Sequence, residues 1–355
     1  MRIVFVTSTL HAGGSERVMA LLANALSERQ HHVEIVCLNQ HLVFYPLRDD
    51  VEVLFARDEA HSNFIGSKLR WMRGYIKRKQ PDVVIAFMLE VYCATLCALM
   101  GLQVPVITSD RISPSFFDYY KRYMRWMLLR LCSHHVVQTQ QVLSSCPKSV
   151  KKRTTIIPNP VTNEVFREMD VEKGNVIIAV GRLAPQKNYP MMFSAFATIA
   201  KEFPDWKLVV WGEGPLRSSL ELIVKSLQLD GRVLLPGRTE HVIDELRKSK
   251  VFCMASNYEG MSNAMLEAVC VGLPVLTTDV SGASDMIRHG EDGFICKVGD
   301  EKGFASCLKQ LISDETMMRQ MGMRNRQKAD RFKEEVIVDQ WEQVILRVLG
   351  KKEKN

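Results

Sequence analysis

The 355-residue sequence has no uninterrupted apolar run approaching the ~18 residues that a membrane-spanning helix needs, so no helical span is expected. Its opening, MRIVFVTSTLHAGG, carries one basic residue and a short apolar run entering a glycine turn. That pattern predicts a strand and lacks the longer apolar region of a secretion signal, so the expected location is cytoplasmic. No D-x-D pair occurs, which leaves a carboxylate-held metal on a diphosphate without its usual ligands. Internal repeats and low-complexity tracts are missing too, and only GKKEKN at 350–355 reads as a disordered tail. The nine cysteines are an odd number and sit in apolar stretches such as VFCMAS and EAVCVGLP. They predict buried thiols and no disulfide framework. The closest pair, Cys93 and Cys97, has no further ligands nearby for a metal and is expected in the core. No metal site and no cofactor is expected.

A composition that is 46% hydrophobic and 25% charged is that of a globular protein. The length suits two domains of roughly 150 to 200 residues each. Apolar segments alternate with amphipathic ones throughout, which predicts an α/β fold of parallel sheets wrapped in helices. Six strands are expected near RIVFVT, HVEIVCL, VEVLFA, DVVIAF, VPVITS and HHVVQT. IIPNPV follows, where Pro158 and Pro160 remove two N–H groups around Asn159 and mark a hinge. A second unit has strands near NVIIAVG, WKLVVWG, RVLLPG, VFCMAS and PVLTTD. A last helix bears Ile337, Trp341, Val344, Ile345 and Val348 on one face and needs a domain to cover it. The expected boundaries are 1–160, 161–333, a helix over 334–349 and the tail. Two doubly wound, Rossmann-like domains in tandem are expected to set strand ends across a cleft, where such folds bind ligands.

NYEGMSNAMLEAVCVGLP, residues 257–274, runs from a loop into a helix capped by Ser262 or Asn263 and ended at Gly272 and Pro274. The start of that helix is an anion site. Glu259 lies before it and Glu267 about one turn inside, a spacing that suits two acceptors for the hydroxyls of a polyhydroxylated ligand. Upstream, GRLAPQKN places Arg182 and Lys187 five residues apart in a strand-end loop. Two loop cations are also compatible with a solvated surface. Beside a helix start and two carboxylates they suit a diphosphate. Gly212 and Gly214 in WGEGP, and Gly237 with Arg238, mark tight turns where backbone can approach a flat base.

GGSER, IPNPV, GRLAPQKN, GEGP and EGMSNAMLEAVCVGLP together span nearly the whole chain. In these segments the sequence resembles the retaining glycosyltransferases of the GT-B fold, in glycosyltransferase family 4. Within that family it is most similar to bacterial enzymes extending polyprenyl-diphosphate-linked glycans, N-acetylgalactosamine transferases among them. The resemblance implies that Arg182 and Lys187 hold the donor diphosphate, Glu267 the ribose hydroxyls, and Glu259 the transferred sugar. It also implies that backbone around Met261, Ser262, Asn263 and Ala264 supports sugar and phosphate, and that Gly237 and Arg238 frame the base. No covalent nucleophile is nominated. The family's chemistry implies attack by the acceptor hydroxyl on the face from which phosphate leaves.

In the first domain, paired Gly13 and Gly14 open a helix expected to be capped near Ser15. The spacing is not G-x-G-x-x-G and the second strand ends at Asn39, so a dinucleotide oxidoreductase is not expected. The resemblance makes Gly13, Gly14 and Glu16 candidates on the acceptor and phosphate side. Where relatives carry a histidine after the fifth strand, this chain reads SDRISPSFF, which makes Asp110 and Arg111 candidate polar contacts. His11 is a lone loop histidine, as compatible with solvent as with acceptor.

Charge is uneven: residues 1–170 hold 21 basic and 15 acidic side chains, net +6, and the remainder 26 and 25, net +1. SKLRWMRGYIKRKQ has six basic residues and no acid, and residues 119–153 have eight and none. Lys121, Arg122, Arg125 and Arg130 are expected as basic rows beside apolar Met124, Met127, Leu128 and Leu131 on one helix over 116–131, a pattern suited to an anionic membrane surface. No nucleic-acid recognition module accompanies the charge. The expected function is metal-independent, retaining transfer of a hexose or N-acetylhexosamine from a nucleotide-diphosphate sugar, with UDP favoured, to a lipid-linked glycan at the inner membrane face. A sugar-nucleotide epimerase or soluble synthase of the same fold is the alternative. From another class, the alternative is an inactive membrane-surface module.

Overall fold

The structure is a computed structural model and describes residues 1–39, 42–114, 117–167 and 171–350. The expected tail from residue 351 and Phe116, at the start of the basic segment, lie outside the described residues. The chain divides into two compact units, one formed by Met1–Pro160 with the segment from Glu334 onward, the other by Val161–Lys333.

The first unit is built on strands β1 (Arg2–Thr7), β2 (His32–Cys37), β3 (Glu52–Phe55), β4 (Val83–Phe87), β5 (Val106–Ser109), β6 (His134–Val137) and β7 (Thr154–Ile156). All pair in parallel, in the order β3-β2-β1-β4-β5-β6-β7. The central strand VVIAF is buried at every residue, as a parallel sheet covered on both faces requires. The seventh strand was not expected. It has three half-buried residues at a sheet edge, too few for a hydrophobic run to register.

The helix Gly14–Glu28 starts at Gly13, without a side-chain cap. Ser15 is therefore inside the helix and not its cap, and its hydroxyl donates to Glu16 Oε2 at 2.7 Å instead. The C-terminal helix Glu334–Val348 belongs to this unit. It buries Ile337, Val338, Trp341, Val344 and Ile345 among Ile3, Phe5, Val18 and Leu22. Each such side chain contributes about 1.5–3 kcal/mol when buried. Arg29 ties the helix down through Asp339 at 2.6 Å and Glu342 at 2.7 Å.

His134 in β6 is 5% exposed and shares a 2.9 Å hydrogen bond with Thr155 Oγ1. Burial, then the nearby charges of Arg347, His135 and Arg153, push its imidazolium pKa down to about 4. An unfolded histidine titrates near 6.5. Between those values the unfolded chain binds the proton that the folded one refuses, so stability falls as pH drops through this window. His134→Gln is expected to remove up to about 3 kcal/mol of that acid-side loss, read by urea unfolding of variant and wild type across pH 7 to 4. Parallel pH profiles for the two proteins would contradict it.

The second unit has β8 (Val176–Val180), β9 (Lys207–Trp211), β10 (Val233–Gly237), β11 (Val251–Met254), β12 (Val275–Thr278) and β13 (Gly293–Cys296). They form a six-stranded sheet in the order β10-β9-β8-β11-β12-β13, again parallel. β13, four residues at the edge, is the strand not expected. Glycine opens it because a Cβ at Gly293 would meet Val275 O at 2.4 Å. All nine cysteines are thiols. Cys93 is in the core, but Cys97 is exposed, because it falls on the outer side of the helix Leu89–Leu99.

Candidate active site

In the second sheet the chain order reverses between β8 and β11, and loops after those two strands open at the switch point where such sheets bind ligands. Arg182 and Lys187 are on the first loop, Glu259 on the second. Lys187 Nζ donates to Glu259 Oε1 at 2.7 Å, with both side chains largely buried. The two loops are stapled together. Asn257 N–H donates to Gln186 O at 2.8 Å, the Gln186 side chain to Tyr258 O at 2.9 Å, and the Asn257 side chain to Pro185 O at 3.1 Å. Tyr189 Oη donates to Gly181 O at 3.0 Å beneath them. Burial first, and then Glu259, raises the Tyr189 pKa well above its ordinary value, so it remains a hydroxyl donor. Gln186, Asn257 and Tyr189 were not singled out from sequence. Their role is visible only when the loops meet.

The helix Asn263–Val271 starts at Ser262, whose Oγ accepts from Met265 N–H at 3.4 Å, and it ends on Gly272 at φ 87°. Its first intrahelical bond runs from Leu266 N–H to Ser262 O at 3.0 Å. Amides ahead of that bond are those a helix start offers to outside acceptors. Met261 and Ser262 are buried, and Asn263 and Ala264 half-buried. Glu267, on the second turn, is 5% exposed, and Glu259 is 8% exposed. Such carboxylates are kept buried only with partners.

The glycine turns serve the loops themselves. A Cβ at Gly212 would stand 2.0 Å from Gly181 O, and one at Gly214 2.4 Å from Leu183 O. Backbone bonds from Leu183 N–H to Glu213 O and Gly212 N–H to Gly237 O lace three loops into one surface. Gly237 takes φ 103° beside the Glu213–Arg217 ion pair. Arg182 and Arg238 are exposed. The loops after β8, β9 and β11 thus bring Lys187, Glu259, Gly212 and Gly214 together, with Arg182 exposed on the first of them.

In the first unit, Gly13 and Gly14 follow β1, and Glu16 reaches back to accept from Thr9 Oγ1 at 3.3 Å. Asp110, expected as an acceptor contact, is buried in a structural network. It accepts from Arg125 Nε at 2.9 Å and Nη2 at 2.6 Å, from Tyr92 Oη at 2.9 Å, and lies 3.2 Å from His135 Nε2. Burial alone would raise its pKa, but Arg125 and His135 hold it well below the ordinary carboxylate range. Arg125 is therefore not part of an exposed basic row. It is 3% exposed because its turn of the helix faces the sheet. Arg111 is also buried, its guanidinium stacked 3.9 Å from the Phe87 ring.

The helix itself is Tyr119–Leu128, capped by Asp118 and continued by a tight turn to Leu131. Of the four apolar residues expected along the outer side, Met124 and Leu128 are half-buried against the core, whereas Met127 and Leu131 are exposed beside Tyr119, Tyr120, Tyr123 and Trp126. Arg122 and Arg130 remain outside, Arg130 lying 3.6 Å from the Trp126 ring. Lys121 reaches Glu90 at 2.8 Å. A cavity of 580 Å³ adjoins this side, lined by Tyr119, Arg122, Tyr123 and Trp126 with Ser113 and Pro114.

Among the described residues, His32, Glu34 and Glu52 bring potential ligand atoms within 4.8 Å of one another. Glu34 is already held by Tyr75 Oη at 2.7 Å and His32 at 2.9 Å, with Lys79 at 3.8 Å, so the cluster is an ion-pair cluster of the sheet edge. No helix is long and apolar enough to cross a membrane among the described residues.

A profile of the family described as Glycosyl transferases group 1 matches residues 161–328, and one described as Glycosyltransferase Family 4 matches 12–165. The chain is 30% identical over 98% of its length, and 99% of the relative's, to a Campylobacter jejuni protein. That protein is named GalNAc-alpha-(1->4)-GalNAc-alpha-(1->3)-diNAcBac-PP-undecaprenol alpha-1,4-N-acetyl-D-galactosaminyltransferase. This chain is also 26% identical to the amylovoran biosynthesis glycosyltransferase AmsD of Erwinia amylovora, over 97% of this chain and 99% of that one. The crystal structure of Anabaena Alr3699/HepE in complex with UDP superimposes with a TM-score of 0.81, covering 98% of this chain and 100% of that one at 16% identity, a likeness of fold. With both units matched by glycosyltransferase profiles, and a transferase 30% identical from end to end, the chain belongs to the group 1 and family 4 glycosyltransferases of the GT-B fold class.

Proposed function

We propose that the protein transfers a hexose or N-acetylhexosamine from a UDP sugar, with retention and without a metal, to a polyprenyl-diphosphate-linked glycan at the inner face of the membrane. One observation carries the reading: the buried Lys187–Glu259 pair stands at the switch point of the second sheet, on loops stapled to each other. Lys187 and Arg182, with the Ser262-capped helix start, offer positive charge to a diphosphate leaving group. Glu267 accepts from the ribose hydroxyls and Glu259 from the sugar. The acceptor hydroxyl oxygen bonds to the anomeric carbon as the bond to the diphosphate oxygen breaks on the same face. The hydroxyl proton passes to that diphosphate oxygen. The acceptor class is supported by the Campylobacter relative, named for a glycan on PP-undecaprenol.

A panel of nucleotide sugars, each tested for release of free nucleotide in excess EDTA with a polyprenyl-diphosphate glycan acceptor, tests the reading. UDP release and an α-linked product from an α-linked donor are expected. A β-linked product, or activity restored only by manganese, would sink it.

The exposed aromatic and basic side of the helix Tyr119–Leu128 supports docking on anionic lipid, with the rings at headgroup level. Each basic residue near such a surface is worth about 1 kcal/mol. Replacing Lys121, Arg122 and Arg130 by glutamine is expected to lower binding to phosphatidylserine vesicles by about a hundredfold in a sedimentation assay. Undiminished binding would assign these charges to a solvated surface.

A further inference from the structure

Arg111, two residues past the end of β5, is 8% exposed, and among the described residues its guanidinium has one hydrogen bond, from Nη1 to the neutral Asn159 Oδ1 at 2.9 Å. Its carbon centre stands 3.9 Å from the Phe87 ring and 5.8 Å from the Trp341 ring, so apolar surface covers it. Nε and Nη2 are shielded from solvent and have no partner among the described residues. Those two N–H groups share one edge of the guanidinium, the fork that matches the two oxygens of a carboxylate or phosphoryl group. The neighbouring Asp110 does not serve it, because its oxygens are taken by Arg125, Tyr92 and His135. Two more buried donors of this neighbourhood, Ser109 Oγ and Trp341 Nε1, also lack partners among the described residues. A buried cation hydrogen-bonded to no anion among the described residues is costly, and proteins retain such groups where a ligand completes them.

We propose that the Nε–Nη2 edge of Arg111 is a receptor for a two-oxygen anion, a phosphoryl or carboxylate group, carried by a substrate of this transferase. The side chain has the charge to do so: burial pushes its pKa down to about 9, against the opposing pull of Asp110, and it stays protonated at neutral pH. Because the edge is shielded, an anion reaches it only as neighbouring side chains shift. The resulting pair is desolvated and correspondingly strong. That the anion belongs to a substrate rests on the proposed UDP-sugar transfer, which UDP binding by the wild-type protein tests separately.

Two variants divide the possibilities. Arg111→Met keeps the stacked volume and removes the charge, and Arg111→Lys keeps the charge and removes the fork. Calorimetry with sodium pyrophosphate, on protein saturated with UDP, asks for a phosphoryl group from outside the donor. UDP-glucuronic acid against UDP-glucose asks for a carboxylate on the donor sugar. In one arm both variants are expected to bind about tenfold or more weakly, with UDP and UDP-glucose held as in wild type. The ligand-free Arg111→Met protein is expected to melt no lower than wild type, because an unpaired buried charge has been removed. Equal binding of both anions by wild type and variants, or no binding of either by wild type, overturns the proposal. So does an Arg111→Met protein that melts lower with binding unchanged, which would make Arg111 a packing residue. If Arg111→Met does not fold, Arg111→Lys decides by the same titrations. Wild-type protein that binds no UDP sinks the UDP-donor reading instead, and pyrophosphate without UDP still tests the edge.

Discussion

Asp110→Asn is expected to cost the protein about 3–5 kcal/mol of stability, because it strands the buried Arg125 guanidinium and the His135 imidazole without their shared carboxylate. That is a large part of the 5–15 kcal/mol that holds an ordinary domain together. The sign of the pH dependence follows from the two partners. Asp110 is depressed below its unfolded value near 3.9, so its contribution is complete above that pH and is lost as pH falls toward its folded pKa. His135 is raised: burial opposes its charge, but Asp110 outweighs it. Its contribution is complete below about 6.5 and is lost as pH rises through the folded value. The penalty of Asp110→Asn is therefore largest between about pH 4 and 6.5 and smaller above. Denaturant unfolding of variant and wild type at pH 5 and pH 9 checks it. A loss below about 1 kcal/mol at pH 5 would mean that the network is not holding the helix Tyr119–Leu128 to the sheet.

Lys187→Ala is expected to lower kcat by about a hundredfold to a thousandfold, the usual cost of removing one preorganised donor from a developing negative charge. It also leaves Glu259 buried without its cation, 2.7 Å away in the native pair, so the melting temperature should fall as well. Glu267→Ala should act differently, weakening nucleotide binding about tenfold to a hundredfold while kcat at saturating donor changes less. Steady-state kinetics with UDP release, together with calorimetric UDP affinity, separate the two. A Lys187→Ala enzyme within about threefold of wild type in kcat would remove Lys187 from the reaction and leave it as a loop staple.

Among the described residues, eleven of thirteen strands were readable as apolar runs, most plainly the central ones, because a parallel strand covered on both faces must be apolar at successive positions. The two missed, β7 and β13, are short edge strands of three and four residues: β7 is only half-buried, and β13, though mostly buried, is a four-residue GFIC run opened by glycine, too short to register as an apolar segment. The constellation around Lys187, Glu259 and Ser262 was legible because its residues are polar types placed at strand ends and at a helix cap, positions that local pattern alone identifies. Their mutual contact was not. Lys187 and Glu259 are 72 residues apart and meet only because β8 and β11 are neighbours in the sheet.

By itself, then, the sequence determined the alternation of buried strands with helices, the two-unit α/β class and the capped helix that ends at Gly272. Periodicity and capping are properties of short segments. Tertiary structure alone decided which cations are available. Arg122, Arg125 and Arg130 look alike in one basic stretch. Arg125 is nonetheless buried on Asp110, whereas Arg130 lies outside against Trp126, because the side of a helix that faces inward is set by the sheet it lands on. The same holds for Arg111, whose burial over Phe87 and Trp341 depends on a C-terminal helix more than 220 residues further along the chain returning to the first unit. Local sequence carries no record of such a contact, since its free energy comes from apolar surface that is brought together only when the whole unit closes.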